Sequence, residues 1–282
     1  MNYKALKEYF NQSLESIYHE QESSGLFYIA VQKVAGFTRM QVLEKQQQEV
    51  TPQIKEAMMV VLEQLCLGKP IQYILEEAWF YNLRFKVNAN VLIPRDETEE
   101  LVDLIIKTEQ GQGLKKKRLL DIGTGSGCIA IALKKNMPLF DVSALDISSG
   151  ALVVAEENAE SNDVAVKFFQ ADILTYKSPQ QYDIIVSNPP YVKDNERPDM
   201  HQNVLDHEPH TALFVSNEDP LIFYRAIADF ALQSLVKGGR LYFEINEYLG
   251  HEMVTLMETK GFKEIQLIND LQQKPRMLSC VL

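Results

Sequence analysis

The chain has 282 residues, of which 46% are hydrophobic and 24% charged, and its formal net charge is −11 at pH 7. This composition is that of a globular protein with a substantial core, and the acidic balance argues against broad nucleic-acid binding, which needs a basic surface. The three cysteines contain no CxxC motif, which favours reduced thiols and a cytoplasmic protein. We expect neither a signal peptide nor a membrane-spanning segment.

Residues 1–69 are predicted to form a helical domain. The clearest helix begins with Thr51 as its N-cap and Pro52 in its first position. A second helix is predicted from about Ser24 to Val34, with Gly36 beyond its end. The apolar residues of the first helix recur at the i, i+3, i+4 spacing of one buried stripe. They are Ile54, Ala57, Met58, Val61, Leu62 and Leu65.

Residues 70–94 are rich in aromatic and β-branched side chains around two Asn-containing turns, which predicts a β-hairpin that links two domains. Residues 95–282 begin with a helix whose first turn is acidic and then alternate between apolar strands and helices. This alternation predicts an α/β fold, with a Rossmann-like, seven-stranded, mostly parallel sheet and helices on both faces. One long helix is predicted to begin near Pro220 and to end at Gly238-Gly239.

A glycine-rich loop follows the first strand of this sheet. In LLDIGTGSG, Gly123, Gly125 and Gly127 stand between a strand and a helix, where a ligand can approach the backbone closely. A dinucleotide-binding fingerprint would require a glycine at the position of Cys128. The alternative explanation of the three glycines is a tight strand-to-helix turn without any ligand.

Acidic residues end the next two predicted strands. Asp146 is placed to accept hydrogen bonds from ribose hydroxyls, or else to cap the following helix. Asp172 is placed to accept from an adenine amino group, with Ile173 against the adenine face, although a structural role would explain either residue. Together with the glycine loop they indicate an adenosine-type ligand, either NAD or S-adenosylmethionine.

The predicted strand YDIIVSN ends in Asn188-Pro189-Pro190-Tyr191. If it lies beside the first strand, Asn188 stands where a substrate meets the cofactor. Its side-chain oxygen and the Pro189 carbonyl can accept the two hydrogens of a planar NH₂ group, and Tyr191 can stack on that group. This arrangement suits a carboxamide or the exocyclic amine of adenine or cytosine. The structural alternative is a strand that simply ends at two prolines.

These motifs, together with LIPRDETEELV at residues 92–102, resemble the HemK/PrmC family, the glutamine-N5 methyltransferases of peptide chain release factors. The family is part of the class I S-adenosylmethionine-dependent methyltransferases. The resemblance extends in order from about residue 68 to residue 282, and it includes GKPIQYI, EPHTALF and DLQQKPRM. It is weaker in the helical region.

The resemblance implies transfer of a methyl group from S-adenosylmethionine to the side-chain nitrogen of the glutamine in the Gly-Gly-Gln motif of release factors, with S-adenosylhomocysteine as product. It implies that the helical domain recognises the release factor. The implied catalytic residues are Asn188, Pro189 and Tyr191, and the implied substrate-binding residues are the same three and Pro190. The implied cofactor-binding residues are Arg95, Thr98, Glu99, Gly123, Thr124, Gly125, Ser126, Gly127, Asp146, Asp172, Ile173 and Asn188.

Three segments depart from the family pattern, one of them VSNEDPL at residues 215–221, where relatives commonly carry a glycine-rich turn. Asp96-Glu97 replaces the usual Pro-Asp, a change expected to alter the helix start and add charge, and residues 270–276 lack the usual glycine. No metal site is expected from His207, Glu208 and His210, because they lie on an irregular loop. The alternative function is adenine-N6 methylation of DNA or RNA, against which the acidic charge weighs. We expect a monomer with no stable nucleic-acid partner and no membrane association.

Overall fold

The structure, a computed structural model, describes residues 1–111 and 115–282. These residues form two compact units, of which the first comprises residues 1–77 and 201–207 and the second the rest. No helix within the described ranges is both long enough and apolar enough to cross a membrane.

Short helices packed around an apolar core make up the first unit, and the predicted helical character of the N-terminal stretch is confirmed. Its largest fully buried side chains include Phe10, Phe27, Met58 and Leu65. The helices of this stretch are α1 (Tyr3–Leu14), α2 (Glu20–Ala35), α3 (Arg39–Glu44), α4 (Pro52–Cys66) and α5 (Ile71–Leu75).

Helix α4 begins where its sequence predicts. The Thr51 side chain accepts a hydrogen bond from the backbone N–H of Ile54 at 3.4 Å, and Pro52 opens the helix. Helix α2 ends at Ala35, one residue beyond the predicted end, with Gly36 as its left-handed C-cap, and it begins at Glu20, before the predicted start. Within the predicted stripe of α4, the buried residues are Met58, Val61, Leu62 and Leu65.

The predicted hairpin is present but shorter than the segment assigned to it. Strands β1 (Ala78–Phe80) and β2 (Leu83–Phe85) pair antiparallel around Tyr81-Asn82, and both turn residues have positive φ, as a type I′ hairpin turn requires. The segment Ile71–Leu75, which the prediction included, is helical. Ile71 packs in the core of the first unit, so burial overrides the strand-like composition.

The chain beyond the hairpin alternates between helices and strands, as predicted. Helix α9 belongs to the first unit and the other elements to the second. In chain order they are α6 (Asp96–Gln110), β3 (Arg118–Ile122), α7 (Cys128–Asn136), β4 (Asp141–Asp146), α8 (Ser149–Ser161), β5 (Lys167–Gln170), β6 (Tyr182–Ser187), β7 (Val192–Lys193), α9 (Gln202–His207), β8 (Phe214–Val215), α10 (Ile222–Ser234), β9 (Leu235–Glu244), α11 (Gly250–Lys260), β10 (Lys263–Asn269) and β11 (Pro275–Val281).

Within the described part of the chain, these strands form a seven-stranded sheet in the order β10-β11-β9-β6-β3-β4-β5. Strands β9, β6, β3, β4 and β5 pair in parallel, whereas β11 runs antiparallel to both of its neighbours. Strand β3 lies between β4 and β6, so the strand order reverses direction there. Such a reversal opens a crevice at the carboxyl ends of the strands.

Helix α10 is shorter than predicted. It ends at Ser234, and β9 begins at the next residue instead of after the double glycine. Gly238 and Gly239 lie in an irregularity of β9, where its register against β6 shifts. The glycines therefore mark a bulge in a strand, and the end of the helix is set by burial of Leu235 in the core.

Helices cover both faces of the sheet because its strands are apolar on both sides. Leu119 of β3 packs in the cluster that contains α6 and α7, and the next residue, Leu120, packs in the cluster with α10 and α11. Both leucines are fully buried. The central strands are thus held from both sides, and the loops at their carboxyl ends start from a rigid base.

Candidate active site

A pocket of about 410 Å³ lies at the carboxyl ends of β3, β4 and β6. The volume is typical of a small-molecule site, and α/β sheets bind ligands at this place. The lining brings together most of the residues that the sequence predicts for cofactor and substrate. These are Arg95, Thr98, Gly123, Thr124, Gly125, Ser126, Asp146, Asp172, Ile173, Asn188, Pro189 and Pro190.

The glycine loop between β3 and α7 provides open backbone to this pocket. Gly125 has a φ of 54°, and a Cβ built at this residue would meet no atom within 4 Å. The backbone N–H groups of Gly123 and Thr124 both donate to the carbonyl of Leu145 in β4. The loop is therefore tied to the neighbouring strand while the space beside Gly125 stays open to a ligand.

Asp146 ends β4 and holds the glycine loop. Its Oδ2 accepts from the backbone N–H of Gly125 and its Oδ1 from that of Ser148, each at 2.9 Å. Burial raises the pKa of Asp146, although these two hydrogen bonds oppose the shift. Each carboxylate oxygen keeps a further lone pair, so Asp146 can also accept from ligand hydroxyls.

Apolar side chains complete the part of the pocket that follows β4 and β5. Ile147 and Leu174 are 61% and 46% exposed, although both are large aliphatic residues, and both line the pocket beside Asp172 and Ile173. Asp172 Oδ1 accepts from the backbone N–H of Leu174 at 2.9 Å. Aliphatic surface flanked by carboxylates suits a flat heterocycle with amino and hydroxyl donors.

The residues present fit S-adenosylmethionine. Its adenosine matches the aliphatic surface and the acceptors of Asp146 and Asp172. The open backbone at Gly125 allows close approach of the ligand.

Asn188 follows β6 directly. Strand β6 pairs with β3 so that Ser187 lies opposite Ile122, which confirms the predicted adjacency of the two strands. Asn188 Nδ2 donates to Thr98 Oγ1 at 3.2 Å. No described residue donates to Asn188 Oδ1. This oxygen, like the carbonyl of Pro189, is therefore an acceptor that a ligand in the pocket can use.

Glu244 at the end of β9 supports this arrangement, and sequence reasoning missed it. The residue is 1% exposed, and its Oε2 accepts from Thr98 Oγ1 at 2.6 Å. The signal was available, because an acid within an apolar run such as LYFEI must find partners when the strand is buried. Burial raises the pKa of Glu244, and the hydrogen bond from Thr98 opposes the shift.

Tyr191 does not line the pocket. Its hydroxyl donates to Glu244 Oε1 at 3.0 Å, and its carbonyl accepts from Asn246 Nδ2 at 3.1 Å. Burial, with the nearby carboxylate of Glu244, raises the pKa of Tyr191 well above its usual value. The phenol therefore stays neutral and keeps its proton for this hydrogen bond.

Two predicted cofactor residues lie outside the lining. The Glu99 carboxylate accepts from the backbone N–H of Tyr81 at 2.6 Å and so connects α6 to the hairpin. Gly127 caps α7, and a Cβ there would lie 2.9 Å from Ile131 Cδ1 and 3.1 Å from Ala155 Cβ. Glu99 and Gly127 therefore contact the structure that surrounds the pocket and do not line it.

Glu208, considered above as a metal ligand with His207 and His210, has other partners. It is 4% exposed, and its carboxylate accepts from the Arg95 guanidinium at 2.6 Å and from the backbone N–H of Ile93 at 3.2 Å. The buried carboxylate thus fixes Arg95 at the pocket.

Comparison with known proteins relates the chain to methyltransferases. The Methyltransferase small domain family matches residues 95–213. Among solved structures, a methyltransferase from Pyrococcus furiosus is similar, with a TM-score of 0.52, 17% identity, and coverage of 71% of this chain and 88% of that one. The T. thermophilus 16S rRNA N2 G1207 methyltransferase, in complex with AdoMet and guanosine, has a TM-score of 0.53, 18% identity, and coverage of 73% and 49%. The family model and the relatives described next identify an S-adenosylmethionine-dependent methyltransferase.

Relatives of similar length identify the family. A release factor glutamine methyltransferase from Flavobacterium psychrophilum is 46% identical, over 98% of this chain and 97% of that protein. One from Bacteroides thetaiotaomicron is 42% identical, over 96% and 97%. The chain belongs to the release factor glutamine methyltransferase family.

Proposed function

We propose that this protein transfers the methyl group of S-adenosylmethionine to N5 of the glutamine in the Gly-Gly-Gln motif of peptide chain release factors. Relatives that match nearly its whole length carry the name of this activity. The observation that carries the proposal is the position of Asn188 and Pro189, which line the same pocket as the glycine loop. The C–S bond of the sulfonium breaks as the N–C bond forms, and the products are N5-methylglutamine, S-adenosylhomocysteine and the proton that leaves the amide nitrogen.

The cofactor is held by residues around the glycine loop. Asp146 and Asp172 would accept hydrogen bonds from the adenosine, Ile173 would pack on its ring, and Arg95 and Thr98 would hold the methionine end. Glu99 is not proposed as a cofactor contact, because its carboxylate accepts a hydrogen bond from the backbone of the hairpin. When bound, the cofactor supplies an electrophilic methyl group on a sulfonium.

Asn188 and Pro189 prepare the glutamine amide for attack. The amide nitrogen is a weak nucleophile because its lone pair is delocalised into the carbonyl. Asn188 Oδ1 and the Pro189 carbonyl each accept one of its N–H groups, which holds the nitrogen in one orientation. Pro189 and Pro190 carry no N–H that would oppose these hydrogens. Orientation of the reacting atoms can supply a large part of the rate acceleration.

Consecutive segments of the chain have different roles in this proposal. We infer that the helical domain predicted for residues 1–69 recognises the release factor, that residues 70–94 connect the domains and that residues 95–282 carry out the transfer. We also infer a cytoplasmic monomer without a stable nucleic-acid partner. The net charge of −11 supports the last point, because nucleic-acid binding needs a basic surface.

The test uses Asn188→Ala. Purified wild type and variant are incubated with labelled S-adenosylmethionine and with either unmethylated release factor or nucleic acid. We expect label on the release factor only, and a rate at least about 100-fold lower in the variant with cofactor affinity within about threefold. Asn136→Ala, on an exposed side chain at the end of α7, is the matched control.

Three results contradict the proposal. Label on nucleic acid alone would favour adenine methylation. A variant that keeps the wild-type rate would remove Asn188 from the chemistry. A variant that no longer folds, judged by circular dichroism, would make Asn188 a structural residue.

A further inference from the structure

The pocket residue Asn188 is connected to a buried carboxylate through one hydroxyl group. Thr98, in the first turn of α6, donates to Glu244 Oε2 at 2.6 Å and accepts from Asn188 Nδ2 at 3.2 Å. Thr98 and Glu244 are 2% and 1% exposed, so water does not compete for these bonds. Residues from α6, from the end of β9 and from the segment after β6 thus form one chain of hydrogen bonds that ends at the pocket.

The chemistry of the carboxylate sets the direction of this chain. Both oxygens of Glu244 are acceptors, Oε2 for the Thr98 hydroxyl and Oε1 for the Tyr191 hydroxyl. With both oxygens accepting, the single hydroxyl proton of Thr98 points to Glu244. Thr98 Oγ1 then offers only lone pairs to its other neighbour. Asn188 can satisfy those lone pairs only with its NH₂ group. If the Asn188 amide were flipped, its Oδ1 would face the acceptor side of Thr98, and a buried pair of acceptors would be left without a proton.

We propose that Glu244 is a positioning residue that fixes the orientation of the Asn188 amide through the hydroxyl of Thr98, so that Oδ1 is presented to the substrate amide. The inference rests on the proposed function for the identity of the substrate. It explains why Asn188 presents an acceptor at the position where the NH₂ of glutamine needs one. With the opposite orientation, two NH₂ groups would face each other.

The same carboxylate also fixes the end of the Asn-Pro-Pro-Tyr segment. Its second oxygen, Oε1, accepts from the hydroxyl of Tyr191 at 3.0 Å. The carbonyl of Glu244 accepts from the hydroxyl of Tyr224 in α10 at 3.1 Å, which holds the end of β9 in place. Glu244 therefore bridges the first and last residues of the segment, and it does so without lining the pocket itself.

The test compares Thr98→Val with Thr98→Ser. Valine keeps the shape of threonine but cannot accept from Asn188, whereas serine keeps the hydroxyl and loses only a methyl group. We expect Thr98→Val to lower kcat for release factor methylation by about 10- to 100-fold, the range for an unpaired buried polar group. The KM for release factor should stay within about threefold, so that the loss falls on kcat, and Thr98→Ser should restore most of kcat.

Glu244→Gln tests the carboxylate itself. Glutamine has nearly the same volume, but one of its two terminal groups donates, so the directions of the bonds to Thr98 and Tyr191 are no longer both enforced. We expect a loss of kcat of at least about 10-fold in a folded protein. Equal kcat in Glu244→Gln and wild type would overturn the proposal, and so would Thr98→Ser that is as slow as Thr98→Val.

A second readout does not depend on the substrate. In ¹⁵N-labelled protein, the side-chain NH₂ signals of Asn188 are assigned by their loss in Asn188→Ala. In the wild type, one of the two protons should exchange with water at least about 10-fold more slowly than in Thr98→Val, because it is bonded to Thr98. Equal exchange in both proteins refutes the positioning role. If protection is found but the wild type does not methylate release factor, the proposed function fails and the positioning role stands.

Discussion

Gly127→Ala is expected to destabilise the second unit more than Gly125→Ala, although both glycines lie in the same loop. Gly127 has a φ of 82°, and an added Cβ would lie 2.9 Å from Ile131 Cδ1 and 3.1 Å from Ala155 Cβ. The left-handed conformation costs about 1–2 kcal/mol for a residue with a side chain. The forced displacement of packed neighbours adds about 1–3 kcal/mol. The expected loss is therefore about 2–5 kcal/mol.

Gly125→Ala is the matched control. Gly125 also has a positive φ, 54°, but its Cβ would meet nothing within 4 Å. Only the conformational cost of about 1–2 kcal/mol applies to its stability. The added methyl group enters the pocket, however, so cofactor affinity should fall at least about 10-fold, the effect of a lost close approach. The two glycines should thus separate into one that matters most for packing and one that matters most for the ligand.

Urea unfolding without cofactor measures the difference. Circular dichroism follows the transition, because the one tryptophan, Trp79, is 63% exposed and its fluorescence would change little on unfolding. The dependence of the free energy of unfolding on urea concentration should be unchanged, whereas the unfolding midpoint should fall in both variants. The midpoint should fall further for Gly127→Ala than for Gly125→Ala. Equal midpoints for the two variants, or a lower midpoint for Gly125→Ala, would refute the packing argument.

Two further predictions concern a helix cap and a buried acid. Thr51→Ala should destabilise the first unit by about 1 kcal/mol, because the N–H of Ile54 loses its acceptor. Thr51→Ser keeps the hydroxyl and should not have this effect. Equal urea midpoints for Thr51→Ala and Thr51→Ser, measured by circular dichroism, would contradict the prediction. Burial raises the pKa of Asp121 from 3.8 to about 7, so the folded state keeps a proton that the unfolded state releases in this range. Wild-type stability without cofactor should fall by up to about 4 kcal/mol as the pH rises from about 4 to about 7. The stability of Asp121→Asn should not show this fall with pH. If the stability of the variant and of the wild type falls by the same amount over this range, the prediction is refuted.

The sequence was sufficient to predict the fold beyond the hairpin because the strands and helices there have clear periodicity and strong end signals. The error at Ile71–Leu75 has a physical cause, since its β-branched and aromatic composition favours a strand, and only packing on the first unit decides for a helix. The end of α10 was misplaced for a related reason. Gly238-Gly239 is a typical helix stop, but here it forms a bulge within β9.

The predicted part of the site depends on short motifs. The glycine loop and the Asn188 segment each follow directly from a strand, and parallel neighbours bring their ends together. Glu244 is different, because its partner Thr98 lies 146 residues earlier in the chain. No local pattern relates these two positions, and their contact depends on which strand pairs with β6. A buried acid signals that a partner exists but does not identify it.

The departure at Asp96-Glu97 bears on this same contact. Asp96 is the first residue of α6, a position that accepts proline because its N–H has no partner within the helix, and that also favours an acid because of the helix dipole. Asp and Pro therefore serve the first position for different physical reasons but both support a helix that begins there. Thr98 then lies in the first turn, with its side chain directed to Glu244 and Asn188. The substitution changes the charge at the start of α6, whereas the hydroxyl that orients Asn188 keeps its place.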